Sequence, residues 1–491
     1  MKAVIFSSPF FLFLYFPIVL LLYYVSPLRW RNLVLLAVNL VFYGWGEPVY
    51  VVIMFLSIAI DYSHGRIVTR CKAKGDDRGA RMAVASSVVF NLALLGFFKY
   101  WDFIVGSLNT LGLDLVTRSE IRSAINAALA NAGLNPLFET ASSTLPIGIS
   151  FYTFQTMSYT IDVYRGDARC QKNIVTFGTF VTLFPQLIAG PIIKYKDLDS
   201  QLERRDHTVI KFASGVQRFT VGACKKVLLA NALGPLWDVY LATPSARLTT
   251  LGAWLGIVAF SLQLYFDFSG YSDMAIGLGR MLGFEFLENF NYPYISKSAS
   301  EFWRRWHISL GSWFREYLYF PLGGSRVGKR RMVFNLLVVW AATGIWHGAS
   351  WNFLLWGLYW FVWITLEKLW LGRILDQAPA WACHIYGVLV AVVGWAIFAV
   401  EDFSAMGPYL AAMFGFGAGA LDTGFLYHLR NYLPILIIAV IAATPLGKTL
   451  WHRLPERARQ IAFPVLMTAG LVFTTAYLVD GTYNPFLYFR F

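Results

Sequence analysis

Charged residues are scarce in this 491-residue chain, where Asp, Glu, Lys and Arg together make up only 14% of the sequence. Soluble domains have about 25% charged residues, because their surface must be hydrated. Hydrophobic residues reach 57% and aromatic residues 17%. The shortage of charge argues against a soluble globular protein and indicates a chain that lies largely in lipid, where ionisable groups are costly.

Cysteine is also rare, and the chain lacks the motifs of several common sites. The four cysteines are scattered along the sequence: Cys71, Cys170, Cys224 and Cys383. Their spacing argues against a disulfide framework, and no Cys/His pairs have zinc-site spacing. A glycine-rich loop of the P-loop or dinucleotide-binding type is also absent. We therefore expect no metal and no tightly bound cofactor.

Acidic residues are fewer than basic ones: the sequence contains 28 Asp and Glu and 41 Lys and Arg, which gives a net charge of +13. We do not read this charge as a sign of nucleic-acid binding, because membrane proteins concentrate Lys and Arg in their cytoplasmic loops. Four segments are basic: 66–81, 194–211, 297–331 and 448–459. Placing all four in the cytosol puts both termini outside and predicts about twelve membrane crossings.

Uncharged runs predict the membrane spans. The clearest are 3–28, 32–46 with 48–60, 82–98, 385–400, 431–447 and 460–479. The 35-residue run 332–366 has no Asp, Glu, Lys or Arg and is too long for one helix, so we expect a break at His347–Ser350.

Three less apolar spans, near 144–165, 216–240 and 248–268, should be buried among other helices, and 174–193 could dip into the membrane and return. We predict a single all-α, polytopic membrane domain of about eleven to thirteen helices, some kinked or re-entrant. Residues 117–142 would form a polar external loop.

Two of the seven histidines are candidates for chemistry. His307 lies in segment 300–320, whose aromatic and charged residues alternate at helical spacing, which suits an amphipathic helix at the cytosolic face. His347 follows Arg331 by sixteen residues, or about 24 Å of helix, which places it at membrane depth. A neutral imidazole there could exchange a proton with a hydroxyl group. A structural histidine bonded to a backbone carbonyl is the alternative.

Further polar groups could support such a site. One block at membrane depth contains Asp267, Ser269, Tyr271 and Asp273. They could pack in the bundle interior, although intramembrane carboxylates usually form pairs or line a path. Segment 297–331 has eight Lys and Arg against two Glu. Orientation of the protein explains this excess most simply, but the segment could also bind a phosphate-rich donor. The candidates for donor binding are Arg304, Arg305, Arg315, Arg326, Lys329, Arg330 and Arg331.

Several motifs resemble the membrane-bound O-acyltransferase (MBOAT) family, and within it the bacterial alginate O-acetyltransferase type. The matching blocks are Phe6–Phe13, Phe184–Pro191, Phe266–Met274, Trp303–Leu310, Trp313–Gly324 and Trp346–Gly348. The resemblance implies that His347 is the catalytic base, that His307 is the second family residue, and that a tunnel runs through the bundle. One departure is Trp360, which stands where many relatives have a further histidine.

This resemblance also implies the reaction. An acetyl group would move from a cytosolic thioester, acetyl-CoA, across the bacterial inner membrane to an exopolysaccharide such as alginate, with periplasmic O-acetyltransferase partner proteins completing the transfer. His307 or Asp273 would orient or polarise the reactants. Other envelope polymers (cellulose, peptidoglycan, teichoic acid) stay open as acceptors. A non-enzymatic transporter or scaffold of a polymer-export complex is the rival function, but the inverted repeats of a transporter are not detectable.

The C-terminal tail, 481–491, alternates aromatic residues up to the last position. The positive-inside rule places it outside. It resembles an aromatic C-terminal motif of this transferase group, which makes Tyr488 a candidate acyl relay. The alternative is an aromatic anchor at the membrane surface, a common role of Tyr and Phe.

Overall fold

The computed structural model describes residues 6–136, 145–188, 190–481, 483–485 and 487. Within these ranges the chain contains α-helices, short 3₁₀ and π-helical turns and loops, and no β-strand. The residues form two compact units, one of residues 1–209 with 282–284 and one of residues 210–281 with 285–491. The predicted all-α membrane architecture is confirmed.

The first unit has ten α-helices within its described residues. They are α1 (Phe16–Val25), α2 (Arg31–Gly46), α3 (Val51–Ala73), α4 (Asp77–Leu95), α5 (Trp101–Asn109), α6 (Arg118–Asn131), α7 (Ile149–Arg165), α8 (Ile174–Thr182), α9 (Phe184–Leu187) and α10 (Tyr195–Glu203). A π-helical turn precedes α1 (Phe11–Tyr15), another joins α4 to α5 (Gly96–Tyr100), and a 3₁₀ turn precedes α2 (Leu28–Trp30).

Helix α3 packs against α4 and α7, and α2 packs against α8. Between α3, α4 and α7 lies a buried polar cluster around Asp61. Its carboxylate accepts hydrogen bonds from Ser87 at 2.6 Å and from Asn91 at 2.9 Å, and Thr156 donates to Asn91 at 3.0 Å. Each buried polar group named here has a partner, as a stable low-dielectric interior requires.

The second unit, from α11 onward, contains thirteen α-helices in its described part. They are α11 (Val209–Cys224), α12 (Asn231–Leu241), α13 (Thr250–Met281), α14 (Ala299–Arg305), α15 (Ile308–Phe314), α16 (Lys329–His347), α17 (Trp351–Leu366), α18 (Gly372–Gln377), α19 (Ala380–Ala399), α20 (Phe403–Ala411), α21 (Thr423–Ala442), α22 (Leu446–Arg453) and α23 (Glu456–Asp480). The π-helical turns are Lys225–Ala230, Arg315–Tyr319, Glu367–Leu371 and Ala412–Phe416, and the 3₁₀ turns are Ser245–Arg247 and Pro293–Ile295.

Helix α13 is the centre of the second unit, since it packs against α12, α19 and α21 and is buried over most of its length. Burial on all sides explains why its sequence, predicted as a span over 248–268, shows little amphipathic pattern. By contrast α23 is almost entirely exposed, as a helix that faces lipid would be. Helix α7 of the first unit is also buried along its length, as predicted for 144–165.

Six described helical segments are long and apolar enough to cross a membrane. They are Val51–Ala73, Asp77–Asn109, Thr250–Met281, Ala380–Ala399, Thr423–Ala442 and Glu456–Asp480. The described chain is divided into more helices than the eleven to thirteen expected. The difference arises because short helices such as α6 and α22 lie outside the predicted spans, and because a π-helical turn separates α11 from α12 within the predicted span 216–240.

Two local expectations differ from the structure. The polar segment 117–142 contains a helix, α6, because Thr117 and Glu120 form a capping box that starts it. Residues 137–142 of that segment lie outside the described residues. Segment 300–320 is two short helices and a π-helical turn instead of one amphipathic helix.

Candidate active site

His347 is placed by the break between α16 and α17. The first helix ends at His347, Gly348–Ser350 is extended, and the second helix begins at Trp351, as the sequence predicted. The two helices touch backbone to backbone, because a Cβ atom on Gly344 would collide with the carbonyl oxygen of Phe353. This close approach fixes the last turn of α16, and with it the imidazole of His347.

Aromatic rings surround His347, which is only 6% exposed. The ring centroids of Trp356, Trp346 and Phe398 lie 4.9, 5.0 and 5.4 Å from the imidazole centroid, all in edge-to-face geometry. Such rings exclude water and lower the local dielectric constant, which strengthens any hydrogen bond or charge that forms at the imidazole during a reaction.

His307 lies between α14 and α15 in a left-handed backbone conformation, with φ of 45° and ψ of 53°. This region is unfavourable for a residue with a Cβ atom, and such strain often occurs at functional sites. The side chain is fully buried. The expectation of a histidine on a surface helix is therefore wrong: the chain breaks at this residue and turns the imidazole inward.

Asn289 sets the orientation of His307. Its Oδ1 atom lies 3.2 Å from Nδ1 of His307 and also accepts hydrogen bonds from the backbone N–H of Ser309 at 3.1 Å and from its hydroxyl group at 2.9 Å. Since Oδ1 can only accept, Nδ1 of His307 carries the proton. Nε2 is then a hydrogen-bond acceptor, and it has no hydrogen-bond partner among the described residues.

Burial lowers the pKa of His307 to about 3. The imidazole is therefore neutral at physiological pH, and at its Nε2 atom it can accept a hydrogen bond but cannot act as an imidazolium acid.

The two histidines belong to one aromatic cluster. The ring centroid of Trp346 lies 5.0 Å from the imidazole centroid of His347 and 6.1 Å from the imidazole centroid of His307. The ring centroid of Phe268 in α13 lies 4.7 Å from the imidazole centroid of His307. The structure thus brings together the two histidines that the sequence singled out. Trp360 is fully buried and stacks on Phe302 at 5.4 Å, so it serves the same aromatic core.

A cavity of about 340 Å³ lies between the segment α14–α15 and the helix pair α16–α17. Its lining includes three cationic side chains, Arg304, Arg315 and Lys368, and the indoles of Trp303 and Trp340. Trp340 and Thr343 of α16 line this cavity too, and they precede His347 by seven and four residues, which places them on the same face of the helix. The cavity therefore lies along the α16 face that ends at His347.

The other basic candidates are not at this cavity. Arg305 forms an ion pair with Glu301 at 2.8 Å. The remaining four, Arg326, Lys329, Arg330 and Arg331, are exposed around the start of α16 and are absent from the cavity lining.

The block on α13 is buried, and both of its carboxylates have cationic partners. Asp267 pairs with Lys226 at 2.7 Å, and Asp273 pairs with Lys225 and Arg218 at 2.7 and 2.6 Å. Asp273 is therefore engaged in ion pairs with cations of α11 and of the π-helical turn that follows it. Ser269 and Tyr271 are buried next to these carboxylates in the sequence.

Sequence reasoning missed three residues that organise this region. Lys226 and Asn289 were not singled out, although both are buried. Glu367, at the end of the uncharged run 332–366, accepts hydrogen bonds from the backbone N–H groups of Ala299 and Ser300 at 2.6 and 2.8 Å and so holds the start of α14. A carboxylate directly after a long apolar run was the available signal.

Two further expectations concern metals and the tail. Among the described residues, no group of three or more His, Cys, Asp or Glu side chains could hold a metal ion. Tyr488 lies outside the described residues.

Comparison with known proteins agrees with these motifs. The model of the MBOAT, membrane-bound O-acyltransferase family, matches residues 167–402. The probable alginate O-acetylase AlgI of Azotobacter vinelandii is 43% identical over 85% of this chain and 79% of its own length. That of Pseudomonas putida is 40% identical over 99% of this chain and its whole length. The peptidoglycan O-acetyltransferase of Helicobacter pylori is 31% identical over 72% of this chain and 69% of its own.

Proposed function

Because the chain belongs to the membrane-bound O-acyltransferase family and is a multi-pass membrane O-acetyltransferase, we propose that it moves an acetyl group from a cytosolic thioester, acetyl-CoA, to an exopolysaccharide. Alginate is the acceptor we propose, since several similar proteins are described as probable alginate O-acetylases. The protein would lie in the bacterial inner membrane and act with periplasmic O-acetyltransferase partner proteins.

One observation carries this proposal: a cavity that combines cationic and aromatic side chains lies along the face of α16 that ends at His347, and the ring of Trp346 contacts both His347 and His307. Acetyl-CoA has phosphate groups at one end and a thioester at the other. Arg304, Arg315 and Lys368 offer N–H donors to phosphates, and Trp303 and Trp340 offer flat apolar surfaces. The thioester arm would extend along α16 toward His347.

His347 acts as the general base in this scheme. It takes the proton of an acceptor hydroxyl while the hydroxyl oxygen attacks the thioester carbonyl, and it returns that proton to the leaving thiolate of coenzyme A. Neutral His307, held by Asn289, accepts a hydrogen bond at Nε2 and orients a reactant. Asp273 forms ion pairs with Lys225 and Arg218, so its role in this scheme is structural.

The test is His347→Ala, with polymer acetylation and membrane abundance measured together. We expect acetylation to fall by at least about 100-fold, which is typical for loss of a general acid–base group, with abundance unchanged. The exposed His452 gives a matched control, His452→Ala. Normal acetylation in His347→Ala would end this mechanism.

Peptidoglycan is the second candidate acceptor, because a peptidoglycan O-acetyltransferase is similar over 72% of this chain. Purified acceptors presented to membranes that contain the protein and its partners would separate the two. Transfer of labelled acetyl groups to peptidoglycan but not to alginate would show that peptidoglycan, and not alginate, is the acceptor. Absence of any transfer, with polymer export impaired by deletion, would favour a scaffold or transporter.

A further inference from the structure

The C-terminal segment turns back into the interior of the second unit after α23 ends at Asp480. Leu487 is only 4% exposed and packs in the same apolar core cluster as Trp356 and Phe398, two of the rings around His347. Specific contacts must therefore hold this segment in place.

A buried ion pair meets the segment. Lys226, in the π-helical turn between α11 and α12, contacts Asp267 of α13 at 2.7 Å, and their side chains are only 1% and 3% exposed. The Lys226 ammonium group also donates to Asn231 at 2.9 Å. Asp267 precedes Phe268, whose ring lies against His307.

Both members of the pair bind the main chain of the tail. The Lys226 ammonium also donates a hydrogen bond to the carbonyl oxygen of Pro485, and the backbone N–H of Leu487 donates to Asp267 at 2.9 Å. These two hydrogen bonds are made by the main chain of Pro485 and Leu487, so they do not depend on the side chains of the tail.

Side-chain contacts fix the register of the segment. Tyr483 donates from its hydroxyl group to Asp238 at 2.9 Å, and Asn231 donates to Asn484 at 3.1 Å. Gly234 leaves the space for the Tyr483 ring, because a Cβ atom at that position would collide with its hydroxyl oxygen. The cradle thus consists of α12, α13 and the turn that precedes α12.

We propose that Lys226 and Asp267 are positioning residues for the transferase reaction: they clamp the C-terminal main chain inside the second unit and keep Leu487 in the large apolar core that also contains Trp356 and Phe398. An ion pair in an apolar interior seldom stabilises a fold more than an apolar pair of similar size. Its function here is to supply a donor and an acceptor to the tail backbone. The catalytic part of this proposal rests on the proposed acetyl transfer.

The decisive variant replaces the pair by apolar residues, Lys226→Met with Asp267→Leu, in the full chain. Loss of both charges leaves no uncompensated buried charge, so we expect folding and the thermal midpoint to be kept. Hydrogen–deuterium exchange should show the Leu487 amide, followed in overlapping peptides by mass spectrometry, exchanging at least about 100-fold faster than in the wild type. The kcat for acetyl transfer should fall at least about tenfold, with the KM for acetyl-CoA unchanged.

A matched control is Asp273→Asn, which disrupts the neighbouring Lys225–Asp273 pair and should leave tail exchange at the wild-type rate. If the double variant does not fold, Gly234→Val provides the second route, because it displaces Tyr483 and should also accelerate exchange of the tail.

Two results would overturn the proposal. Unchanged tail protection in a folded double variant would make the pair a structural contact only, and a released tail with unchanged kcat would remove the positioning role. The exchange measurement needs no turnover, so it distinguishes failure of the clamp from failure of the proposed acetyl transfer.

Discussion

His307 links the stability of the protein to pH. Its pKa is about 3 in the folded protein and 6.5 as an unperturbed group. Below pH 6.5 the unfolded chain binds a proton that the folded chain does not, so the free energy of unfolding is greatest above pH 6.5 and decreases toward pH 3. At pH 4.5 this loss is about 3 kcal/mol, since each pH unit between the two pKa values contributes about 1.4 kcal/mol.

We predict that His307→Asn reduces this dependence, because Asn does not titrate. The thermal midpoint of the solubilised protein, measured at pH 7 and pH 4.5, should decrease less in His307→Asn than in the wild type. His452→Asn, which removes an exposed histidine, should keep the wild-type dependence. Equal decreases in His307→Asn and the wild type would show that His307 is not the buried neutral group described.

Tyr488 stays a candidate acyl relay. A phenol with a pKa of about 10 can attack a thioester if a base such as His347 removes its proton, and the resulting acyl-tyrosine is reactive enough for a second transfer. Tyr488→Phe keeps the ring and removes only the hydroxyl group, so we expect polymer acetylation to be lost and the abundance of the protein to be unchanged. A normal acetylation rate would identify the residue as an anchor.

At the level of elements, the contact between α16 and α17 controls where His347 lies. Gly344→Ala should destabilise the protein by about 1–3 kcal/mol, typical of overpacking, although alanine is the better helix former. It should also reduce acetylation, because His347 lies three residues further along α16. Gly106→Ala in α5 is the matched control, since a Cβ atom there meets no atom within 4 Å. Equal stability of the two variants would contradict the close packing of α16 and α17.

Helix α14 brings Arg304 to the cavity, and the π-helical turn after α15 brings Arg315. We predict that Arg304→Gln and Arg315→Gln each raise the KM for acetyl-CoA by about tenfold, the equivalent of one charged hydrogen bond. The paired change Arg330→Gln and Arg331→Gln at the exposed start of α16 should have a smaller effect on KM. If the paired change raised the KM for acetyl-CoA more than either single change, the donor would bind at the exposed start of α16 and not in the cavity.

The elements that the sequence predicted are those with a continuous apolar signal. Helices α19 and α23 and the break after His347 follow from uncharged runs. The break at His307 does not, because a left-handed backbone at a non-glycine residue depends on tertiary contacts. The aromatic residues of 300–320 suggested a membrane interface, whereas Phe302 and Trp306 are buried in the core.

At the scale of the whole molecule, motifs separated by long stretches of sequence identified the family. They did not identify Lys226, Asn289 or Glu367. Each of these acts through a partner far away in the sequence: Lys226 through Asp267, Asn289 through His307, and Glu367 through the start of α14. Such pairings arise only when the chain folds.

The cavity between α14–α15 and α16–α17 also has an optical consequence. The indoles of Trp303 and Trp340 line it, and their centroids are 4.9 Å apart. Indole emission responds to the polarity of its surroundings, so a molecule that enters the cavity changes the intrinsic fluorescence of the protein. The His347→Ala variant should bind the donor without transferring its acetyl group. Its intrinsic fluorescence would therefore measure how much of the cavity is occupied at equilibrium, independently of the chemical step.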